Sequence, residues 1–103
     1  MKRLAMAVSL ALFAASPVFA DEQQSMLKAG CVGCHKLDGK MVGPSYKDIA
    51  AKYKGQKDAV AKLSEKVRNG GSGNWGTMAM MPNTPDKISD ADLKAVVEWI
   101  LKQ

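Results

Sequence analysis

Residues 31–35 read CVGCH, and this run holds both cysteines and the one histidine of the chain. Two thiols three positions apart can each form a thioether with one vinyl group of a haem, and the histidine that follows can bind the iron from the same side. The spacing is the attachment signature of c-type haem. We therefore predict one haem c, bound covalently through Cys31 and Cys34, with the imidazole of His35 as an axial iron ligand.

The same run permits other interpretations. A thioredoxin-like C-x-x-C motif belongs to a βαβ unit, and nothing in this sequence has the pattern of a parallel sheet. A zinc site needs four ligands around one ion, whereas two cysteines and one histidine lie here within five consecutive residues. A redox dithiol or a structural disulfide between Cys31 and Cys34 stays open, although a disulfide would leave the neighbouring His35 without a role.

Residues 1–20 are typical of a secretory signal peptide. Lys2 and Arg3 form a positively charged start, residues 4–19 are apolar and rich in small side chains, and VFA at 18–20 provides a cleavage site. An uncleaved anchor would need an apolar span of about 20 residues, and this stretch is shorter and diluted by alanine and serine. We predict export, cleavage, no stable membrane insertion and a single mature domain at 21–103.

The mature chain is short and mildly basic. The full sequence carries a formal charge of +5, which falls when the leader is removed. Export and the alternation of lysines with acidic residues argue against nucleic acid as a partner. A domain of this size buries little apolar surface by itself and commonly needs a disulfide, a metal or another staple, so a buried macrocycle would complete the core.

Helical periodicity and capping residues predict an all-α fold. The predicted helices span 22–29, 46–54 and 57–68, and a last helix follows Ser89. Ser45 and Ser89 each precede an aspartate by three positions, which is the spacing of a capping box. No window alternates between apolar and polar residues as a half-buried strand does. We therefore expect four helices around one covalently bound haem, and no sheet.

The segment 70–87, between the last two helices, holds the methionines Met78, Met80 and Met81. A thioether opposite a histidine gives His/Met ligation, in which the soft sulfur favours ferrous iron and raises the reduction potential. Methionine is also a common core filler. We predict that one of these three side chains is the second axial ligand, and the residues alone do not choose among them.

Five runs of the mature sequence occur in a characteristic order. They are GCVGCH at 30–35, MVGP at 41–44, YKDIAAK at 46–52, WG at 75–76 and MMPN at 80–83. Together they resemble the small bacterial class I cytochromes c of the c-551 type, over essentially the whole mature chain. The resemblance implies the class I cytochrome c fold and a soluble periplasmic one-electron carrier. Such a carrier takes electrons from a membrane cytochrome complex and delivers them to a terminal oxidase, a nitrite reductase or a peroxidase.

The resemblance also implies roles for individual residues. Met80 falls on the family's axial methionine, and Asn83 on an asparagine that orients it. Pro44 matches a proline whose backbone carbonyl accepts a hydrogen bond from the ring of the histidine ligand, a contact that fixes the ligand's tautomer. Trp75 matches a tryptophan whose indole N–H reaches a haem propionate. Lys66 occupies a position where a basic residue commonly faces that propionate.

Other interpretations remain. Trp75 can be a core aromatic, Asn83 a turn residue and Lys66 a solvated lysine on a helix face. With both axial positions filled by protein, no open site is left for a substrate, so we expect no enzymatic activity. A labile Met80 would instead suit a haem-based sensor or a peroxidase-like enzyme, and a thiol–disulfide oxidoreductase would use the two cysteines without haem.

We expect the chain to act as a monomer that docks on redox protein partners. Weakly held interfaces with charged steering suit rapid turnover. The expected docking surface, called the apolar patch below, surrounds the haem edge and consists of Val32, Met41, Val42, Met78, Ala79 and Met81, with Lys28, Lys36 and Lys47 around it.

Overall fold

The computed structural model describes residues 19–103 of the chain. Over that range there are four α-helices, one short 3₁₀ turn and one antiparallel pair of strands. The elements are α1 (Phe19–Ala29), the 3₁₀ turn (Cys31–Gly33), α2 (Tyr46–Tyr53), α3 (Ala59–Asn69), β1 (Gly71–Gly73), β2 (Gly76–Met80) and α4 (Asp90–Leu101). The predicted all-α class with four helices is confirmed.

The predicted leader, residues 1–20, lies outside the described residues except for its last two positions. Those positions belong to the first turn of α1, so this helix begins at Phe19, ahead of the predicted start at Glu22. None of the helices within 19–103 is long and apolar enough to span a membrane.

Helix α4 is the centre of the core, because α1, α2 and α3 all pack against it. The buried side chains of its apolar stripe are Leu93, Val96, Val97 and Ile100. Met26 from α1, Ile49 from α2 and Leu63 from α3 pack in the same cluster. Fully burying one aliphatic side chain of this kind contributes roughly 1.5–3 kcal/mol. This helix is therefore the platform on which the other elements are placed.

Both predicted capping serines cap their helices. The Oγ of Ser45 accepts a hydrogen bond from the backbone N–H of Asp48 at 3.1 Å, and the Oγ of Ser89 accepts one from Asp92 at 3.2 Å. Each bond satisfies one of the amides that the first turn of a helix leaves without a partner. The starts of α2 and α4 thus follow from local sequence.

Helix α3 begins at Ala59, later than the predicted start at Lys57. Gly55 has a left-handed φ of 79°, and the N–H of Ala59 donates to the carbonyl of Gln56 at 3.3 Å. This turn occupies the residues that the periodicity had assigned to the helix.

The prediction that no sheet forms was wrong. Strands β1 and β2 pair antiparallel, with Gly71 opposite Met80 and Gly73 opposite Gly76. Those three glycines have positive φ angles, which glycine adopts without steric cost. The strands are short and mostly exposed, so they lack the alternation of apolar and polar residues by which a strand is recognised in sequence.

Replacing the capping serine of α4 tests how much this helix depends on its local start signal. We expect Ser89→Ala to lower the free energy of unfolding by about 1 kcal/mol, because the amide of Asp92 loses its acceptor. Ser64→Ala, inside α3, is the matched control and should leave stability unchanged or slightly raised. Guanidinium unfolding followed by circular dichroism measures both, and equal effects of the two substitutions would contradict the capping argument.

Candidate functional site

The CVGCH run forms a tight turn directly after α1. Gly30 ends that helix in the left-handed region, with a φ of 85°. The N–H groups of Cys34 and His35 then donate to the carbonyl of Cys31 at 3.2 and 3.0 Å. Both cysteines are free thiols, Cys31 half-buried and Cys34 exposed, and burial raises the pKa of the Cys31 thiol. One short turn therefore presents two thiols and an imidazole together.

The ring of His35 is held in a single orientation by the segment that precedes α2. Its Nδ1 lies 2.7 Å from the carbonyl oxygen of Pro44, so Nδ1–H donates and Nε2 keeps its lone pair for a metal. A Cβ atom at Gly43 would lie 2.8 Å from His35 Nδ1 and 3.0 Å from Nε2. Only glycine allows the chain to pass this close to the ring, and the structure brings His35 and Pro44 together as the resemblance implies.

Tyr46, the first residue of α2, is a site residue that the sequence reasoning did not single out. Its ring stacks on His35 with centroids 5.9 Å apart and meets Trp99 edge-on at 5.5 Å. The hydroxyl is buried and has no hydrogen-bond partner among the described residues. Burial, with a smaller contribution from the nearby Cys31 thiol, raises the pKa of Tyr46 to about 12. The sequence signal that could have identified Tyr46 as a site residue is its position two residues after Pro44.

Met80 is the least exposed of the three candidate methionines. It is half-buried at the end of β2, whereas Met78 and Met81 are 67% and 72% exposed. The backbone of Gly70, at the end of α3, lies against the chain at this point, since a Cβ atom there would stand 2.7 Å from the nitrogen of Pro82. The segment that carries Met80 is thus fixed by close backbone packing on α3.

Asn83 is buried and fastens the chain after Met80 to α3. Its backbone N–H donates to the carbonyl of Val67 at 3.0 Å. Its side-chain Nδ2 donates to the carbonyls of Val67 at 3.2 Å and Met81 at 3.1 Å. Asn83 therefore contacts backbone carbonyls that lie before and after Met80 in the chain. It makes more hydrogen bonds than a simple turn residue does.

Trp75 lies at the tip of the hairpin and is 41% exposed, so it is not a core aromatic. The Nζ of Lys52, on α2, stands 4.5 Å from the centroid of its ring and also donates to the carbonyl of Asn74 at 2.7 Å. Lys66 is half-buried on α3, and its Nζ lies near the start of β1, 3.5 Å from where a Cβ atom of Gly71 would be. Both predicted propionate contacts therefore lie beside the hairpin.

The apolar patch consists entirely of exposed side chains. Val32, Met41 and Val42 are 45%, 39% and 51% exposed. Together with Met78 and Met81 they lie in the same segments as the thiols, the imidazole and the candidate thioether. Exposed large apolar side chains in the segments that carry these groups are typical of a ligand or partner site.

These observations fit a covalently bound haem. Two thiols stand on one turn, an imidazole has its free nitrogen fixed, and the neighbouring chain segments carry exposed apolar side chains. Within the described residues, no three histidine, cysteine or acidic side chains come together in a way that could hold a metal ion by themselves. The thiols and the oriented imidazole fit the covalent attachment of haem c, with imidazole as a borderline ligand available to its iron.

Comparison with known proteins gives consistent matches. The family model for cytochrome c matches residues 20–103. The chain is 55% identical over 75 residues to cytochrome c2 of Rubrivivax gelatinosus, covering 73% of this chain and 88% of that protein. It is 42% identical over 90 residues to cytochrome c-551 of Pseudomonas aeruginosa, covering 86% and 84%. The crystal structure of wild-type Nitrosomonas europaea cytochrome c552 superposes with a TM-score of 0.72 at 45% identity, covering 78% of this chain and 96% of that one.

Removing the hydroxyl of Tyr46 should make the free energy of unfolding fall less at alkaline pH. The folded pKa of about 12 lies above the ordinary value of 10.0, because burial disfavours the phenolate. Stability is therefore fully present below pH 10 and decreases as the pH rises towards 12, since the unfolded chain loses its proton first. We expect Tyr46→Phe to reduce the fall in unfolding free energy between these values by about 1–2 kcal/mol.

The measurement is guanidinium unfolding of the reduced, haem-loaded protein at about pH 9 and about pH 11.5. Tyr53→Phe, at the other end of α2, is the control for loss of a tyrosine hydroxyl. An unchanged pH dependence in Tyr46→Phe would show that the buried hydroxyl has a partner or is solvated.

Proposed function

Since this chain belongs to the cytochrome c family, whose members carry electrons on a covalently bound haem c, we propose that it is a periplasmic one-electron carrier with His35 and Met80 as its axial ligands. Bound haem supplies an iron that changes oxidation state by one electron. The family and the cofactor follow from the match over residues 20–103. The ligand assignment, the compartment and the partners are inferred from this chain's own residues.

The hydrogen bond from His35 Nδ1 to Pro44 is the observation that carries the proposal. It commits the imidazole to one tautomer and one orientation before any partner binds. A ring fixed in this way keeps its geometry in both oxidation states, which lowers the rearrangement needed for electron transfer. The half-buried Met80, in the chain segment fastened to α3, is the best-placed thioether for the other axial position, and its softness favours ferrous iron.

Four further residues are proposed to complete the site. Pro44 fixes the imidazole, and Asn83 holds the chain that follows Met80. The indole of Trp75 and the ammonium of Lys66 are assigned to haem propionates. This assignment is supported by the position of Lys66 near the hairpin that carries Trp75 and by Lys52, whose ammonium stands over the Trp75 ring.

The periplasmic assignment rests on the leader-like residues 1–20. It is supported by the family match, which begins at residue 20, next to the proposed cleavage site. Redox partners would dock on the apolar patch, steered by the exposed Lys28, Lys36 and Lys47. We propose a membrane cytochrome complex as donor and a terminal oxidase, nitrite reductase or peroxidase as acceptor, with the protein acting as a monomer and catalysing no reaction of its own.

Absorption spectra of the exported protein test the ligand assignment. We expect low-spin ferric and ferrous spectra, a far-red sulfur-to-iron band in the ferric state and no carbon monoxide binding to the reduced protein. Met80→Ala should abolish the far-red band and admit carbon monoxide, because one axial position opens. Met78→Ala and Met81→Ala are matched controls and should leave both properties unchanged.

Other spectra would favour the other functions. Prompt carbon monoxide binding by the unmodified protein would favour a haem-based sensor or a peroxidase-like enzyme. An exported protein without haem would favour a thiol–disulfide oxidoreductase that uses Cys31 and Cys34.

A charge introduced into the apolar patch tests the docking surface. Val42 is 51% exposed, so Val42→Glu should fold normally and keep the reduction potential. We expect the bimolecular rate of electron transfer to a physiological partner to fall about tenfold, because an unpaired carboxylate must be desolvated at the interface. Leu27→Glu, on α1 outside the patch, adds the same charge and is the control. Equal rates for the two variants would place docking on another surface.

A further inference from the structure

The guanidinium of Arg68, in the last turn of α3, is largely buried, with only 18% of the side chain exposed. Its Nη1 donates to the backbone carbonyls of Asn83 at 3.0 Å and Ile88 at 2.7 Å. Its Nη2 donates to the carboxylate of Asp90 at 2.6 Å. One side chain thus fastens both ends of the segment that leads from Met80 to α4.

The two carbonyl contacts are the important part of this arrangement. The carboxylate of Asp90 is 93% exposed, and an ion pair with such a partner contributes little. The bonds to Asn83 and Ile88 are charge-assisted and partly buried, and bonds of this class are about twice as strong as neutral ones. Replacing Arg68 would also leave those carbonyls without their donor.

The same turn of α3 makes further contacts to the start of this stretch. The carbonyl of Val67 accepts both the backbone and the side-chain N–H of Asn83. A Cβ atom at Gly70 would stand 2.8 Å from the carbonyl carbon of Met81. The last turn of α3 therefore holds the chain directly after Met80 and again at Ile88, and Arg68 supplies the only cationic contacts to it among the described residues.

We propose that Arg68 is a positioning residue for the Met80 thioether. The inference rests on the proposed function, in which Met80 is an axial ligand. By holding the carbonyls of Asn83 and Ile88, Arg68 reduces the number of residues after Met80 that are free to move. A dissociated thioether then gains less conformational freedom, so the bound state is favoured. Arg68 thereby sets how readily an external ligand replaces methionine.

Imidazole titration of the ferric, haem-loaded protein at neutral pH measures this property, because the apparent dissociation constant is inversely proportional to the fraction of molecules in which the thioether has dissociated. We expect Arg68→Met, which keeps the aliphatic stem and loses the donors, to bind imidazole about tenfold more tightly. Asp90→Asn removes only the exposed ion pair and should shift binding less than about twofold. Lys62→Met removes the same charge from the same helix, away from the loop, and should also have little effect.

A double variant separates positioning from general destabilisation. In Met80→Ala no thioether competes with imidazole, so adding Arg68→Met should cause no further change if Arg68 acts through Met80. The same tenfold gain in both backgrounds, no gain in either, or the full gain with Asp90→Asn would overturn the proposal. If Arg68→Met does not take up haem, Arg68→Lys, which keeps the charge on a shorter side chain without the planar guanidinium, should give a smaller gain in the same test.

A failure of the proposed function would look different. If the unmodified protein bound imidazole as tightly as Met80→Ala, Met80 would not be an axial ligand, whatever the Arg68 variants showed. If Met80→Ala binds imidazole more tightly than the unmodified protein but Arg68→Met does not, the assignment of Met80 as a ligand stands and the positioning role of Arg68 fails.

Discussion

The hydrogen bond between His35 and the carbonyl of Pro44 is the contact on which the arrangement of the site depends. It requires the chain at residue 43 to pass so close to the imidazole that only glycine fits. Ser45, the residue that caps α2, follows Pro44 directly in the chain. The start of α2 and the orientation of the proposed iron ligand are consequently set by the same few residues.

Backbone hydrogen bonds extend this connection on both sides. The N–H of Gly43 donates to the carbonyl of Cys34 at 2.8 Å, and the N–H of Tyr46 donates to that of Lys36 at 2.9 Å. These bonds join the attachment turn to the first turn of a helix that packs on α4. The imidazole is therefore held by the core, although it lies in a short irregular segment near the surface.

Local sequence signals predicted one half of the molecule well. The capping serines predicted the starts of α2 and α4, and the C-x-x-C-H run predicted the attachment turn, because each depends on residues within a few positions of one another. The hairpin was missed because its glycines have no side chains whose alternation could reveal a strand. The contact between His35 and Pro44 came from the resemblance, and spacing alone would not have predicted it.

Long-range contacts could not be predicted for a different reason. Arg68 reads as an ordinary basic residue near the end of a helix, where cations are favoured by the helix dipole. Its partners lie 15, 20 and 22 positions away. The cation–π contact of Lys52 with Trp75 likewise joins α2 to a hairpin that the sequence did not predict. Such pairs become visible only when the helices have been placed in space.

The two proposed axial ligands are consequently held in different ways. His35 is fixed by a partner nine positions along the chain, within a segment that packs directly on α2. Met80 depends on contacts between α3 and a segment that follows it after the hairpin. Contacts of greater sequence separation form only when the tertiary structure is complete, because each must offset a larger loss of chain entropy. Local opening of the structure should therefore release the thioether while the imidazole stays in place, which makes the methionine side the adjustable half of the site.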